Sequence, residues 1–372
     1  MDAVTIDAER EVMTRYAAAS ARREEALCCA VTYDPKYLEV IPREILERDY
    51  GCGDPSQYVR EGETVLDLGS GGGKICYIAS QIVGPEGHVI GVDFNPAMLQ
   101  LARKHQKGIG ARIGWDNVTF LRARIQDLRT DIEALDRRIA ERALETFEDY
   151  QAFEEFRERT AAAAPLIADD SVDIVLSNCV LNLVRPEDKP RLFAEMHRVL
   201  RRGGRVAVAD IVADEGVPQR LQDDPELWSG CVSGAFQERE FLRAFEEAGF
   251  YGIRIDKRDE EPWQTVEGIE FRSVTVTAYK GKEGPCLERN QAVIYKGPWS
   301  EVRDDDGHAL ERGVPTAVCD KTYRIYTSEP YARDIVPVPP RVEVPLDPAG
   351  NFDCSRDRVR APAETKGSEY HV

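Results

Sequence analysis

Histidine is scarce in this chain: there are five among 372 residues, and no two stand in an HxxxH spacing. No CxxC pair occurs either, so a tetrahedral structural zinc site has no support in the sequence. Missing too is any apolar run approaching the ~20 residues that a membrane span needs. The N-terminal stretch MDAVTIDAEREVMTRY is charged and lacks the apolar core of a secretion signal. A cytoplasmic protein without a membrane partner is expected. Basic excess is absent as well. The formal net charge is −18, which disfavours a nucleic-acid partner, since that requires a basic face.

What is present describes a soluble globular chain, 42% apolar and 31% charged, long enough for more than one domain. Nine cysteines stand at 28, 29, 52, 76, 179, 231, 286, 319 and 354. Their dispersal without a secretion signal argues against a disulfide framework and leaves reduced thiols, some of them functional.

Residues 8–26 read as a charged amphipathic helix, followed by a loop with Cys28 and Cys29 and a short helix over 42–50. Residues 1–60 thus form an N-terminal helical cap. Strand-like runs at 63–69, 88–94, 118–125, 171–179 and 205–212 then alternate with helical runs at 75–83, 96–106 and 187–200. That alternation predicts an α/β fold, a Rossmann-like parallel sheet with helices on both faces, over 61–282. A run rich in helix formers at about 130–165 is inserted between the third and fourth strands and reads as one or two surface helices. A helix over 239–250 and two last strands follow. From about 283 proline becomes frequent and patterning weakens, which predicts a small irregular C-terminal domain over 283–355. The tail at 356–372 is expected to be disordered.

The most informative stretch is VLDLGSGGG, a buried strand that runs into a glycine turn and opens a helix. Glycines let a backbone approach a ligand closely, and a helix start offers free N–H donors. An acid, Asp67, precedes the glycines by two residues, and a second acid, Asp93, ends the next strand. A carboxylate there can accept both hydroxyls of a ribose, and the acid on the first strand suits an ammonium group. S-adenosylmethionine carries both features and no phosphate. The block resembles the class I S-adenosylmethionine-dependent methyltransferases. The resemblance implies that Asp67, Gly69, Ser70 and Gly71 line the methionine end of the cofactor, and that Asp93 holds the ribose with Phe94 and Asn95 beside it. It further implies that Ile125 and Gln126 lie at the adenine edge, and that Asn178 and Cys179 lie where the methyl group is presented.

Three cysteines stand in settings that packing does not explain. Cys179 sits at the exit of the fourth strand in SNCV, Cys52 in the glycine-flanked loop YGCGDP, and Cys231 in the small-residue segment LWSGCVSGAF. Cys76, within the apolar run ICYIAS, is assigned to the core, and His197 on its helix is read as structural. The three-cysteine pattern, with VDIVLSNCVLNL, HRVLRRGGRVAVADI and a C-terminal piece from AVIYKG to FDC, resembles the arsenite methyltransferases over about residues 26–355. The resemblance implies that Cys52, Cys179 and Cys231 are the arsenic(III) ligands, since thiolates bind soft centres. It implies a thiol reductant such as glutathione or thioredoxin, and a redox cysteine near the N-terminus, for which Cys28 and Cys29 are equal candidates. The loop reads GSGGG where GCGTG is commoner, the insertion lies outside the usual core, and the chain closes on SEYHV where many members carry a cysteine pair. These departures leave arsenite, a methylated arsenical and selenium open as acceptors. Two other readings remain: a methyltransferase for a small organic substrate, with cysteines that merely pack, and a metalloid-binding protein without turnover.

Overall fold

A computed structural model describes residues 8–24, 31–347, 349–356 and 358–367. It divides into two compact units, one of residues 1–248 and 253–280, the other of residues 249–252 and 281–372.

The first unit opens with helix α1 (Ala8–Ala21) and two single turns, α2 (Pro35–Leu38) and α3 (Arg43–Leu46). The helix expected over 42–50 is therefore one turn. Beyond it the glycine-flanked Cys52 loop takes its hydrogen bonds from the Asn178 side chain instead of a helical ladder. Strands and helices then alternate as the sequence predicts: β1 (Thr64–Leu68), α4 (Lys74–Val83), β2 (His88–Asp93), α5 (Pro96–Ile113) and β3 (Val118–Arg122). The insertion forms two helices, α6 (Ile132–Glu141) and α7 (Phe147–Ala163). Asp131 caps the first and a Thr146–Asp149 capping box starts the second. There follow β4 (Val172–Asn178), α8 (Lys189–Val199), β5 (Leu200–Ala213), α9 (Gln219–Gln222), α10 (Pro225–Ser229), β6 (Phe236–Gln237) and α11 (Glu238–Glu247). The last strands are β7 (Tyr251–Arg258), β8 (Gln264–Val266) and β9 (Ile269–Tyr279).

The sheet order is β3-β2-β1-β4-β5-β9-β7, with β6 paired to β5 and β8 to β9. The five strands β3, β2, β1, β4 and β5 pair in parallel. Strand β9 runs antiparallel to β5, so the sheet is mixed rather than wholly parallel. Val65, Leu66 and Leu68 of β1 and Ile174, Val175 and Leu176 of β4 are fully buried. Burial on both faces is why these strands read as continuous apolar runs. Chain order reverses between β1 and β4, and at such a switch point the loops leaving two neighbouring strands part and open a crevice. The glycine turn leaves β1 there, and Cys179 leaves β4 there. No helix among the described residues is long and apolar enough to cross a membrane.

In the second unit, β10 (Ala292–Tyr295), β13 (Pro315–Ala317) and β14 (Ile335–Val338) form a three-stranded sheet. The hairpin of β11 (Glu301–Arg303) and β12 (Ala309–Glu311) and helix α12 (Asp320–Tyr326) accompany it. Val293, Tyr295, Leu310, Val318, Tyr326 and Ile335 make one core cluster. The expected disorder of the tail is corrected for residues 358–367, while 357 and 368–372 lie outside the described residues. Val359 bridges Thr316, and α13 (Pro362–Lys366) follows. Arg360 is only 1% exposed; its guanidinium pairs with Glu288 at 2.8 Å and Glu364 at 3.3 Å, and its Nε donates to the Gln291 carbonyl at 3.1 Å. Charge made this stretch read as solvated, because its main acidic partner lies 72 residues upstream. Breaking a buried pair from one side strands the remaining charge. Arg360→Ala should therefore destabilise the protein by about 3 kcal/mol in a urea titration.

Candidate active site

A cavity of about 1080 Å³, counting its open mouth, lies at the carboxyl ends of β1, β2 and β4. Its floor is the turn after β1. Gly69, at φ 69°, faces Val180 so closely that a Cβ would sit 2.4 Å from Val180 Cγ1. Gly71, at φ 51°, has open space where a Cβ would project. The first glycine thus permits close packing and the second leaves room for a ligand. The Ser70 hydroxyl is buried with no hydrogen-bond partner among the described residues.

Asp67 ends β1 beneath this turn and is 2% exposed. Burial pushes its carboxyl up to about 7, the Cys76 thiol that donates to it at 3.2 Å opposes this, and Asp49 and Asp93 add to the rise. Cys76 therefore does more than fill the core: its thiol donates a hydrogen bond to this acid. Asp93 ends β2 and accepts from the Gly71 N–H at 2.9 Å and the Asn95 N–H at 2.8 Å. Burial raises its pKa too, against those two donors. Phe94, Ile125 and Gln126 line the cavity as expected. Asn95 also borders it, but its amide is committed elsewhere: Oδ1 caps α5 through the Ala97 N–H at 3.0 Å and Nδ2 donates to the Met13 carbonyl at 3.1 Å.

Asn178 shares this double placement. It borders the cavity, yet its Oδ1 accepts from the N–H groups of Cys52 (2.9 Å) and Gly53 (3.1 Å), and its Nδ2 donates to the Gly53 carbonyl at 2.8 Å. Its side chain grips the Cys52 loop. Any Cβ at Gly51 would strike the Asn178 amide at 2.1 Å, so the loop can close on it only with glycine there.

The three predicted cysteines do come together, in one cluster with Ile211, Val232 and Phe271. All three are buried. The Sγ atoms of Cys52 and Cys179 and a carboxylate oxygen of Asp210 lie within 4.8 Å of one another. Cys231 joins through Cys179: its Sγ donates to the Cys179 carbonyl at 3.1 Å, and the two thiols interact directly. Cys179 and Cys231 both have left-handed backbones, at φ 62° and 63°. For a side-chain-bearing residue each costs on the order of 1–3 kcal/mol, which surrounding structure must hold in place. Asp210 on β5 supplies part of that hold, accepting from the Leu181 N–H at 2.9 Å just past Cys179. Asn182 supplies another part, donating to the carbonyls of Ile211 (2.6 Å) and Cys231 (3.3 Å).

Contact with Cys231 lowers the Cys179 pKa, but contact with Cys52 and burial outweigh it, so this thiol stays well above the usual range. Its contact with Cys179, and then burial, push Cys231 well up in the same way. Burial lifts Asp210 to about 6, against the N–H groups of Ile211 and Leu181 and the charge of Lys189. At neutral pH these two cysteines are neutral thiols at rest. Cys28 and Cys29 lie outside the described residues.

Sequence reading missed four residues here: Asp210, Asn182, Glu9 and Tyr16. A lone acid inside the apolar run VAVADIV was a legible signal for Asp210. Glu9 and Tyr16 share one face of α1 and border the cavity, but nothing in a helical repeat says what that face covers.

A glycine turn at the switch point, acids ending β1 and β2, and an unpartnered buried hydroxyl define a class I S-adenosylmethionine-dependent methyltransferase. A methyltransferase domain family matches residues 60–155 and 149–249, and a domain of unknown function (DUF8838) matches residues 282–370. The chain is 30% identical to the arsenite methyltransferase of Aquipseudomonas alcaligenes, over 82% of each chain. It is 39% identical to that of Halobacterium salinarum over 56% of this chain and 43% of the relative, and 28% identical to that of Homo sapiens over 80% and 73%. Its structure resembles the crystal structure of an arsenic(III) S-adenosylmethionine methyltransferase from Chlamydomonas reinhardtii, with TM-score 0.56 and 28% identity, over 86% of this chain and 98% of that one. The chain belongs to the arsenite methyltransferase family.

The grip of Asn178 on the Cys52 loop generates a test. Asn178→Ala removes the acceptor of two N–H groups, one of them next to a buried thiol. It should destabilise the protein by about 1–3 kcal/mol and raise the rate at which Cys52 reacts with a thiol reagent, read by mass spectrometry of the labelled peptide.

Proposed function

We propose that this protein transfers a methyl group from S-adenosylmethionine to trivalent arsenic held by Cys52, Cys179 and Cys231. The observation that carries the reading is the convergence of three buried thiols, two of them on strained backbone, beside a nucleoside-sized cavity.

The protonation state of the cluster favours this acceptor. Loading arsenite onto three thiols forms three As–S bonds and breaks three As–O bonds; each thiol proton leaves with a hydroxide as water. A glutathione conjugate loads equally evenly, each proton leaving with a glutathione thiol. Loading from neutral thiols therefore adds no charge to the buried site. Three thiolates suit arsenic because it is soft and pyramidal, and they leave its lone pair free.

When bound, S-adenosylmethionine supplies an electrophilic methyl on its sulfonium. The chain's residues hold and align the partners. Asp67 receives the cofactor's ammonium group, Asp93 the ribose hydroxyls, and Gly69, Ser70 and Gly71 the methionine end. Phe94, Ile125 and Gln126 flank the nucleoside. Cys179 keeps arsenic at the exit of β4, where the lone pair can meet the methyl carbon in line. The nucleophile carries no proton, so the step needs alignment and no strong base. Methylation uses the arsenic lone pair, and two electrons from a thiol reductant such as glutathione or thioredoxin return the centre to the trivalent state.

Two measurements test this. Incubated with S-adenosylmethionine, glutathione and arsenite, the purified protein should form methylated arsenicals, seen by speciation, and Cys179→Ser should form almost none. Persistent methylation by Cys179→Ser would overturn the thiolate reading. Cofactor binding should depend on pH through Asp67. Below about 7 this carboxyl is protonated in the free protein, and pairing with an ammonium requires its proton to leave. Affinity for S-adenosylmethionine should therefore rise with pH up to about 7, by at most about tenfold per unit, and level off above it. Asp67→Asn should bind more weakly and without that slope, as calorimetry from pH 5.5 to 8 would reveal.

A further inference from the structure

One face of α1 runs along the cavity: Glu9, Val12 and Tyr16 border it at i, i+3 and i+7. Glu9 marks the nucleoside end, paired with Arg124 at 2.9 Å. About two turns on, the Tyr16 hydroxyl lies 3.8 Å from Cys231 Sγ, its one hydrogen-bond partner among the described residues. The direction of that bond follows from the neighbouring one. Cys231 gives its own proton to the Cys179 carbonyl, so its sulfur is the acceptor and Tyr16 the donor. Burial, reinforced by Cys231 and Cys179, keeps the phenol protonated far above neutral pH. The helix is fixed at this height by Arg15, whose guanidinium donates to the Glu226 carbonyl at 2.8 Å and to Ser229 Oγ at 3.0 Å on α10, the helix that leads into Cys231.

We propose that Tyr16 is a positioning residue for the arsenical, acting through Cys231: its hydroxyl donates to that sulfur and holds it toward Cys179 as arsenic is taken up. The proposal rests on the reading of Cys231 as an arsenic ligand. When the thiol proton leaves during loading, the bond to the Cys179 carbonyl is lost. The Tyr16 hydroxyl then becomes the donor that still orients the sulfur, and a donor to a sulfur carrying more negative charge binds it more strongly.

The test is arsenite binding by calorimetry to the full chain and to Tyr16→Phe, Cys231→Ser and the double variant, each shown to be folded by its thermal melt. Tyr16→Phe keeps the ring and its packing. It should weaken arsenite binding roughly tenfold or more and raise the KM for arsenite with kcat retained. In the Cys231→Ser background the same change should add nothing. Native-like binding by Tyr16→Phe, with Cys231→Ser impaired, would overturn the role of Tyr16 and leave the three-thiolate reading standing. An equal loss in both backgrounds would also overturn it, since the hydroxyl would then act by another route. Native-like binding by Cys231→Ser would remove both readings at once.

Discussion

The acceptor end of this site depends on one strained turn. Where β4 ends, Cys179 takes a left-handed backbone, and its sulfur lies within 4.8 Å of Cys52 Sγ and an Asp210 oxygen. Asp210 holds the turn from the adjacent strand, and the residues flanking Cys179 reach out from it in two directions. Asn178 grips the Cys52 loop, and Asn182 grips the carbonyl of Cys231. One short segment thus fixes the thiol it carries and the backbones of the two thiols it does not. The strain is local, and the polar network that offsets it is the same network that assembles the cluster.

The two ends of the site share an electrostatic logic. Burial raises the pKa values of Asp67, Asp93 and Asp210, and thiol contacts together with burial raise those of Cys179 and Cys231. A low-dielectric pocket disfavours their charged forms until a ligand supplies the complementary charge or carries the protons away. On the proposed function, uptake of arsenic removes the thiol protons and uptake of the cofactor removes one from Asp67. Cys76 illustrates how closely the two purposes overlap. It packs in the core like any buried thiol, yet its proton is directed at Asp67.

Helix α1 joins these ends physically. Its polar residues look like a solvated face in sequence, because Glu9, Arg15 and Tyr16 find their partners about 115 to 215 residues away. The same distance effect hid the folded tail, where Arg360 is buried against Glu288, 72 residues upstream. Asn178 and Asn95 show a subtler limit. Their positions beside the cofactor cavity were legible, but which way each amide faced was decided by backbone groups from other segments.

The sequence by itself determined the parallel sheet, because strands buried on both faces must read as apolar runs separated by helical ones. It determined the cofactor turn, because only that glycine pattern lets a strand pass so tightly into a helix. It also singled out Cys52, Cys179 and Cys231, because none of them stands within the regular apolar repeat of a helix or strand that marks a purely packing thiol. Tertiary structure decided the rest: the central place of Cys179, the left-handed strain, the hold of Asp210 and Asn182, and the reach of Tyr16. Each of those is a hydrogen bond or a close approach between segments far apart in the chain, and such pairings are set by how the sheet stacks its strands, which no local repeat encodes.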